Sequence, residues 1–466
     1  MQNIALKHII ICLLGVLLVF KAHSQNVLTL KEAEQMALAN YGTIKARINQ
    51  LNSSKAYLTE TKTEYLPDVT LSGQQDYGTV NSQIGPLYGL GGFATASSGP
   101  LTGNTNWSAA FGSLYLTNVN WNVFAFGRAT EKVKVQQRTV NLNEADLAQE
   151  QFQHEVRVAG AYLSLLAAQQ LSKAQQDNLN RTLDVQKVVY ARVVNGLNPG
   201  VDSSQANAEV ANARIALTNA QETEAEQANI LAQYLTIAPK DFVLDSIFNT
   251  KPPANADPQS NMSLQDHPTL RFYENRIKQS DEQAKYLSTF SYPTVTLFGV
   301  FQGRGSGFNS GFETNSNDYT DDYFSGVKPT VYNYLLGVGI TWNITNPIRV
   351  HYQVKAQKFT SAEAKDEYDL VSQQLQDQQI LAETRISNAL KNFRQVPTEV
   401  KAANDVFIQK SAQYKNGLAN IVDFTQALYE LNRAEVDNYV ARNNVWQALL
   451  YKAAATGDFG IFINNF

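Results

Sequence analysis

Two long stretches of this chain repeat each other at a constant offset in residue number. The repeat runs from Trp121 to Ala206 and again from Trp342 to Ala427, with no insertion or deletion between these ends. The identical pairs between them include Asn122/Asn343, Arg128/Arg349, Asn195/Asn416, Gly196/Gly417, Leu197/Leu418, Val201/Val422, Asp202/Asp423 and Gln205/Gln426. The chain therefore contains two tandem copies of one long unit. Two copies are too few for a short-period solenoid, which needs at least three repeats to bury a core.

A shorter and looser repeat precedes each copy. Residues 66–73, LPDVTLSG, correspond to residues 292–299, YPTVTLFG. Each unit then reads as strand, loop, strand, very long helix, turn and helix. We place the first unit at 25–237 and the second at 263–466, joined by a proline-rich linker at 238–262.

Residues 1–24 are predicted to be a signal peptide. Lys7 supplies the charged start, residues 9–20 are apolar, and Ala22-His23-Ser24 resembles a cleavage site. The apolar run is shorter than the roughly 20 residues that span a bilayer as a helix. The only cysteine, Cys12, lies within it. We therefore expect a mature chain without disulfides, thiolate metal sites or an acyl anchor.

The charge of the mature chain argues against a nucleic-acid partner. Without Lys7 and Lys21 it has 36 basic and 42 acidic side chains, a net charge of −6. Nucleic-acid binding favours a basic face. After residue 25 no apolar stretch approaches the roughly 18 residues of a membrane-spanning helix. The protein is thus expected to be exported and not held in the inner membrane by a helix.

Four strands are predicted from the alternation of apolar and polar residues. They lie at about 66–78, 106–126, 292–303 and 331–346. In the last one, large apolar residues occupy every second position from Tyr334 to Ile344. Such alternation is typical of a membrane-barrel strand, with lipid on one face and water on the other. It would place Trp121 and Trp342 in an interfacial aromatic belt. An ordinary sandwich with one buried face is the alternative.

Four strands are too few to close a barrel. About eight are needed even for an interior that side chains fill completely. Barrel strands in this number would require several chains to share one barrel, and three chains would supply twelve strands.

Long helices account for most of the other residues. The predicted helices lie at 29–64, 128–195, 201–237, 263–290, 349–416 and 421–455. The two longest are equal in length, and each would span about 100 Å at about 1.5 Å per residue. Within each unit the two shorter helices together nearly match the long one in length, as in a wall of uniform height.

Two local signals concern where these helices begin and break. Thr29 and Glu32 predict a capping box, and Pro397 is expected to kink or break the second long helix.

These features together resemble the TolC-like outer membrane efflux proteins over essentially the whole mature chain. The most specific parts are the arginine that follows each repeated tryptophan and, at the same distance beyond both arginines, the motif Gly-Leu-x4-Asp-x2-Gln-Ala. The resemblance implies a mixed α and β membrane protein with an internal duplication. It would be a trimer, in which each chain gives four strands to a twelve-stranded outer-membrane barrel and helices to a long periplasmic tube.

The resemblance also implies roles for residues at the two turns. Those implied at the pore entrance or gate are Asp202, Asp423, Gln205, Gln426 and Tyr414. Those implied in adaptor contact at the periplasmic tip are Gly196, Leu197, Gly417 and Leu418. Gln426 stands where some members have a second acid, and Ala419 where they have an arginine. The ionic lock of those members is therefore expected to be absent.

The same residues also have structural interpretations. Asp202 is predicted as a helix N-cap, and Asp423 as an acid that favours the positive end of a helix. In a trimer each would also form a ring of carboxylates, which favours cations at a narrow pore. Gly196 and Gly417 are most simply left-handed C-caps. Neither interpretation excludes the functional one.

No catalytic, metal or cofactor site is predicted. The mature-chain histidines His154, His267 and His351 are widely spaced and have no neighbouring ligand pattern. Asp318, Asp321 and Asp322 read as a solvated loop rather than a calcium site. The chain has no P-loop and no G-x-S-x-G motif, so it is not expected to be an enzyme.

We therefore expect an outer-membrane exit duct for drugs and other toxic small molecules, with its helical part in the periplasm. Its expected partners are two further copies of the chain, a periplasmic adaptor, an inner-membrane pump and outer-membrane lipid. A duct for type I protein secretion and a structural or adhesive envelope protein without a pore are the alternatives.

Overall fold

The computed structural model describes residues 27–82, 103–253, 260 and 262–465. The predicted signal peptide, much of the loop before the second strand and part of the linker lie outside the described residues. The described chain also divides into two compact units, and each of them contains residues from both sequence repeats. The sheet unit comprises residues 53–140 and 277–363, and the helical unit comprises the described residues before 53, 141–276 and those from 364.

The sheet unit contains one sheet of four strands, in the order β1-β2-β3-β4. The strands are β1 (Asp68–Thr79), β2 (Ala109–Phe124), β3 (Thr294–Ser306) and β4 (Val331–Thr341). Each adjacent pair is antiparallel. Within the described chain β1 and β4 each pair with one neighbour, so both edges of the sheet carry unpaired backbone groups.

The strand register sorts the side chains into an apolar face and a polar face. Val119 pairs with Val69 and Gly299, and Gly299 pairs with Leu336, and paired residues share a face. The apolar face also carries Leu71, Trp121, Leu297, Phe301, Tyr334, Val338 and Ile340. The other face is more polar and carries Asn118, Asn120, Thr296, Gln302, Gly337 and Gly339, together with the apolar residues Leu114, Leu116, Phe298, Val300 and Leu335. Leu336 and Ile340 are 76% and 72% exposed. The described chain therefore leaves most of the apolar face uncovered, unlike a sandwich.

The two repeats make the same hydrogen bond beside the sheet. Trp121 Nε1 donates to the carbonyl of Tyr65 at 2.8 Å, and Trp342 Nε1 donates to that of Ser291 at 3.1 Å. Both acceptors lie two residues before a proline that precedes a strand. The duplication in the sequence is therefore also present in the side-chain hydrogen bonds.

Ten α-helices are described in the ranges given above, two of them much longer than the others. They are α1 (Leu30–Asn40), α2 (Gly42–Thr63), α3 (Arg128–Val194), α4 (Gly200–Leu235), α5 (Ile247–Thr250), α6 (Pro268–Ser288), α7 (Tyr323–Val327), α8 (Asn346–Lys415), α9 (Ile421–Thr456) and α10 (Gly460–Ile463). The long helices α3 and α8 have 67 and 70 residues. Among the described helices, none combines the length and the apolar character needed to cross a membrane.

The helix predicted at 29–64 is divided at Tyr41, which separates α1 from α2. Tyr41 has an extended backbone with ψ of 125°. Its ring stacks on His154, with 3.7 Å between the centroids, so side-chain packing accompanies the break. At the start of α1, Thr29 and Glu32 exchange hydrogen bonds of 3.3 and 3.1 Å. The capping box predicted there is confirmed.

Pro397 does not break α8, which continues through it from Asn346 to Lys415. The expected break is therefore absent. Proline removes one backbone hydrogen bond and crowds the preceding turn, but side-chain packing supports the helix around it. Val396 is buried, and the Arg442 guanidinium lies 5.9 Å from the centre of the Phe393 ring.

The main core of the helical unit lies around Tyr162 of α3 and Trp446 of α9, both fully buried. The Tyr162 hydroxyl donates to the carbonyl of Leu28 at 2.8 Å and accepts from the N–H of Asp245 at 3.0 Å. Apolar residues of the linker join the same core, namely Phe242, Leu244 and Phe248. The described part of the linker is therefore packed against the helical unit, and residues 254–259 and 261 lie outside the description.

Candidate gate at the two helical turns

The turns that follow the two long helices share one backbone conformation. We call residues 195–199 turn 1 and residues 416–420 turn 2. Gly196 has φ of +68° and Gly417 has φ of +76°, a conformation that favours glycine. In each turn the leucine N–H bonds to the carbonyl five residues earlier and the glycine N–H to the carbonyl three residues earlier, at 2.8–3.0 Å. This is a Schellman motif, so the left-handed C-caps predicted at both glycines are present.

The helices that follow the turns begin differently. Asn420 caps α9, because its side-chain oxygen accepts from the N–H of Asp423 at 2.8 Å. The cap position of α4 is Pro199, which makes no side-chain cap hydrogen bond. Asp202 is the third residue of α4, so its prediction as the N-cap is wrong. Asp423 lies in the first turn of α9, where its negative charge interacts favourably with the positive end of the helix dipole, as expected.

The Asp202 carboxylate is buried, with an exposed fraction of 7%. The Asn198 side-chain amide donates to its Oδ2 at 2.6 Å. The Tyr414 hydroxyl donates to the same oxygen at 3.3 Å. Because Tyr414 belongs to the last turn of α8, this contact joins the end of the second long helix to turn 1.

Tyr414 is itself fully buried, and its ring stacks on Phe424 with 5.2 Å between the centroids. Burial, followed by the charge of Asp202, raises the pKa of Tyr414 to about 12. The phenol therefore stays protonated at physiological pH and remains a hydrogen-bond donor to Asp202. The apolar cluster around it includes Val185, Val189, Ala206, Ile421 and Leu428.

Arg192, in the last turn of α3, links turn 1 to the end of α8 and was missed by sequence reasoning. Its Nη1 donates to the carbonyl of Lys415 at 2.6 Å, and its Nε donates to Asn198 Oδ1 at 2.7 Å. Its guanidinium also lies 5.6 Å from the centre of the Tyr414 ring. The matching position of the second repeat is Gln413. A cation present in only one copy of the repeat is therefore the one sequence signal that could have found it.

Asp423 occupies a different environment from its repeat partner Asp202. It is exposed, and Lys410 Nζ lies 3.1 Å from its Oδ2. The two glutamines also face outward, and each bonds to a glutamate four residues later. These bonds are Gln205 to Glu209 at 2.9 Å and Gln426 to Glu430 at 2.8 Å. Of the five predicted gate residues, the structure brings only Asp202 and Tyr414 into contact.

The leucines of both turns are exposed. Leu197 is 66% and Leu418 is 78% exposed. The second residues of the next helices, Val201 and Val422, are exposed as well. Each turn therefore presents an apolar pair to its surroundings, although exposed apolar side chains are not unusual singly.

The described residues contain no group of three or more histidine, cysteine, aspartate or glutamate side chains that could hold a metal ion. His267 instead contacts backbone: its Nε2 lies 3.1 Å from the Ala454 carbonyl, and its Nδ1 accepts from the Thr269 N–H. Burial lowers the pKa of His267, which favours the neutral ring that this pattern requires. His154 and His351 pack against tyrosines.

A sequence model described as outer membrane efflux protein matches residues 34–236 and 260–457. The chain belongs to the outer membrane efflux protein family. The match covers most of the chain and occurs twice, once for each unit of the internal duplication. No curated protein sequence matches the chain.

Solved structures of outer-membrane channels share this fold. VceC from Vibrio cholerae is 16% identical, with a TM-score of 0.72 over 92% of this chain and 96% of that one. The CmeC channel of Campylobacter jejuni is 13% identical, with a TM-score of 0.72 and coverage of 92% and 85%. The MtrE channel of Neisseria gonorrhoeae is 15% identical, with a TM-score of 0.71 and coverage of 92% and 89%.

Family membership and structural likeness confirm the predicted fold class, a helical and β-stranded outer-membrane efflux protein with an internal duplication. They also bear out the resemblance to the TolC-like proteins. This is a family of outer-membrane channels and not of enzymes.

Proposed function

We propose that this protein is the exit duct of a tripartite efflux pump and passes drugs or other toxic small molecules across the outer membrane. The duct is a homotrimer with its strands in the outer membrane and its helices in the periplasm. A periplasmic adaptor and an inner-membrane pump deliver the cargo and the energy. The observation that carries this proposal is a four-stranded sheet with two unpaired edges and an exposed apolar face, in a chain of the efflux family.

Unpaired strand edges support the shared barrel. In lipid every backbone N–H and C=O must be paired within the protein, so a sheet in the membrane must close on itself. Four strands cannot close, whereas β4 of one copy paired with β1 of the next would close twelve strands in three copies. The apolar face, which includes Leu336 and Ile340, then meets lipid, and the polar face lines the water-filled interior.

The contacts between the turns support a gate. Tyr414, Asp202, Asn198 and Arg192 hold the end of α8 against turn 1. Three copies around one axis repeat this arrangement three times. Loss of these contacts frees the helix ends to move apart, and we assign the closed entrance of the duct to them. The roles of Gln205 and Gln426 remain predictions, because both are bonded along their own helices.

Exposed apolar side chains at the turns support the adaptor site. Leu197 and Leu418 have the same backbone setting in both repeats, and a partner with a matching pair of sites would recognise the repeated feature twice in each chain. Gly196 and Gly417 place these leucines, because the left-handed backbone ends the long helix and turns the next residue outward.

Two measurements test the proposal. The first is single-channel recording in planar bilayers of the purified protein beside Tyr414→Phe/Arg192→Gln. We expect cation-conducting steps from both, with longer or larger openings in the variant. A protein that gives no steps in either form would contradict the duct and favour a structural envelope protein.

The second measurement is the drug sensitivity of the native bacterium after deletion of the gene. We expect lower inhibitory concentrations for several drugs, restored by the wild type but not by Leu197→Asp/Leu418→Asp. That variant should still form trimers on size exclusion and conduct in bilayers, so its failure in cells isolates the adaptor contact. If drug sensitivity were unchanged and a secreted polypeptide were lost, the duct would instead serve type I protein secretion.

A further inference from the structure

The segment that connects β3 to β4, residues 307–330, folds onto the apolar face of the sheet. The Ser113 hydroxyl donates to the carbonyl of Val327 at 2.8 Å, and the Tyr323 hydroxyl donates to Gln75 Oε1 at 2.8 Å. Ser113 and Gln75 are paired in the register and lie on the same face as Val119. The segment therefore covers the end of the face that the proposed barrel turns toward lipid, and not the polar face.

Glycines allow the segment to approach the strands closely. A Cβ on Gly326 would lie 2.5 Å from Phe111, and a Cβ on Gly305 would lie 2.6 Å from the Lys328 carbonyl. At these distances backbone would have to move. Asp322 caps the short helix α7 by accepting from the Ser325 N–H at 2.8 Å. The segment is therefore a fitted element and not a loose loop.

Four aromatic rings form a connected group where α7 meets the sheet. Phe111 lies 4.7 Å from Tyr77 and 5.2 Å from Tyr323, and Tyr323 lies 5.3 Å from Phe324, between ring centroids. Phe324 is 76% exposed. An exposed phenylalanine at the edge of a larger exposed apolar face indicates a surface that contacts a membrane or a protein partner.

The position of this group along β2 matches the thickness of a membrane. Trp121 and Phe111 lie on one face of β2, ten residues apart. At about 3.4 Å per residue and a strand tilt of about 40°, this separation corresponds to roughly 25 Å across the bilayer. The apolar band of outer-membrane barrels is also about 25 Å tall, with aromatic residues at both borders. With Trp121 at the periplasmic border, Phe111 and Tyr323 reach the outer border.

We propose that α7 is a lipid anchor, in which Tyr323 and Phe324 insert into the outer leaflet where headgroups meet acyl chains. This proposal rests on the proposed membrane barrel. The lipid surface is favoured over a protein partner because Phe324 continues an apolar face that already includes Tyr334 and Leu336. The anchor fixes the depth of the barrel in the membrane, since aromatic side chains prefer the interface to either water or hydrocarbon.

Site-directed spin labelling tests the depth of Phe324 directly. The only cysteine of the chain is Cys12, within the predicted signal peptide, so single cysteines can be introduced without background. The variants are Phe324→Cys, Leu336→Cys as the bilayer reference and Ser316→Cys as the water reference in the same segment. Each is labelled with a nitroxide and reconstituted as one trimer per lipid nanodisc. Collision rates with oxygen and with a water-soluble nickel chelate then report depth.

We expect the label at Phe324 to collide with oxygen several-fold more, relative to nickel, than the label at Ser316. The label at Leu336 should be deeper still. A label at Phe324 that is as accessible to nickel as Ser316, with Leu336 still in the bilayer, would overturn the anchor alone. A label at Leu336 in water would instead contradict the barrel itself. Apart from the scaffold protein at the rim of the nanodisc no other protein is present, so lipid is the partner measured.

A second variant separates the fold of the segment from the chemistry of Phe324. Gly326→Ala, added to Phe324→Cys, should displace α7 from Phe111 and move the label toward water. The label at Leu336 should not respond to the same Gly326→Ala change. A Phe324 label that keeps its depth in this variant would show that the seat on Phe111 does not position the anchor.

Discussion

The Tyr414 hydroxyl donates a hydrogen bond of 3.3 Å to the Asp202 carboxylate, from the end of one repeat unit's long helix to the start of a helix in the other unit. The bond is longer than the usual O–H···O distance of about 2.7–2.8 Å, so it is weaker than a short charged bond. Both partners are buried, and the Tyr414 ring cannot turn to water without breaking its stack on Phe424. A contact of this kind holds the turns together yet permits opening.

Tyr414→Phe should loosen the gate without unfolding the protein. It removes one donor to Asp202 and the hydroxyl that accepts from Asn198 at 3.3 Å. It leaves the ring, its stack on Phe424 and the bond from Asn198 to Asp202 in place. We expect a cost of about 1 kcal/mol and, in planar bilayers, a higher open probability. Tyr429→Phe, at an exposed tyrosine of α9, is the matched control. Equal open probabilities for the two variants would contradict the role of the Tyr414 hydroxyl.

Arg192→Gln should open the gate more than Tyr414→Phe, because it removes the bonds to Lys415 and Asn198 and the contact with the Tyr414 ring. Arg192→Lys should be intermediate, since lysine keeps the charge but not the planar fork of donors. Single-channel recording compares the series. Lys187→Gln, an exposed cation of the same helix, serves as the control and should resemble the wild type. A lysine variant as closed as the wild type would show that the fork geometry is unimportant, and one as open as the glutamine variant would show that the charge alone does not hold the gate.

Repetition predicted the backbone of the turns but not their side-chain contacts. Gly196 and Gly417 were identifiable because both copies need a left-handed residue at the same place. Arg192 was not identifiable, because its counterpart is Gln413 and only one copy has the cation. The burial of Asp202 depends on Tyr414, which lies in the other repeat and reaches it through tertiary packing. No local pattern distinguishes that buried acid from the exposed Asp423.

The fold was predictable where periodicity is strong, and less so where long-range packing changes a local preference. Alternation around Leu336 indicated both the strand and its apolar face. The break at Tyr41 has no proline to mark it and coincides with the stack on His154. Pro397 is the opposite case, because its local tendency to break a helix is outweighed by packing within α8. Phe393 and Val396 are packed in the preceding turn.

Asp423 and Lys410 should have opposite effects on ion selectivity. Their charges partly offset each other at 3.1 Å, so a ring of Asp423 carboxylates favours cations less than unpaired acids would. We expect Asp423→Ala to lower the cation preference and Lys410→Gln to raise it, as measured by reversal potentials in a salt gradient. Stability should hardly change, because exposed ion pairs contribute about 0.2–1 kcal/mol. Unchanged selectivity in Asp423→Ala would reject the carboxylate ring.

Glu34 of α1 is a buried acid with an unsatisfied carboxylate oxygen within the described residues. Burial, and then the charge of Glu155, raises the pKa of Glu34 from 4.5 to about 8. The folded protein therefore keeps a proton on Glu34 at pH values where the unfolded chain has lost it. The stability from this proton is fully present below about pH 4.5 and is lost progressively as the pH rises through about 8.

Glu34→Gln should consequently become more stabilising, relative to the wild type, as the pH rises from 5 to 9. One pKa unit corresponds to about 1.4 kcal/mol, so the difference should reach a few kcal/mol at the alkaline end. Thermal loss of the helical circular dichroism signal, followed in detergent across this pH range, measures it. Glu32→Gln is the matched control, because its side chain is exposed and glutamine preserves the capping box. Parallel pH profiles for Glu34→Gln and the wild type would show that Glu34 is charged in the folded protein throughout.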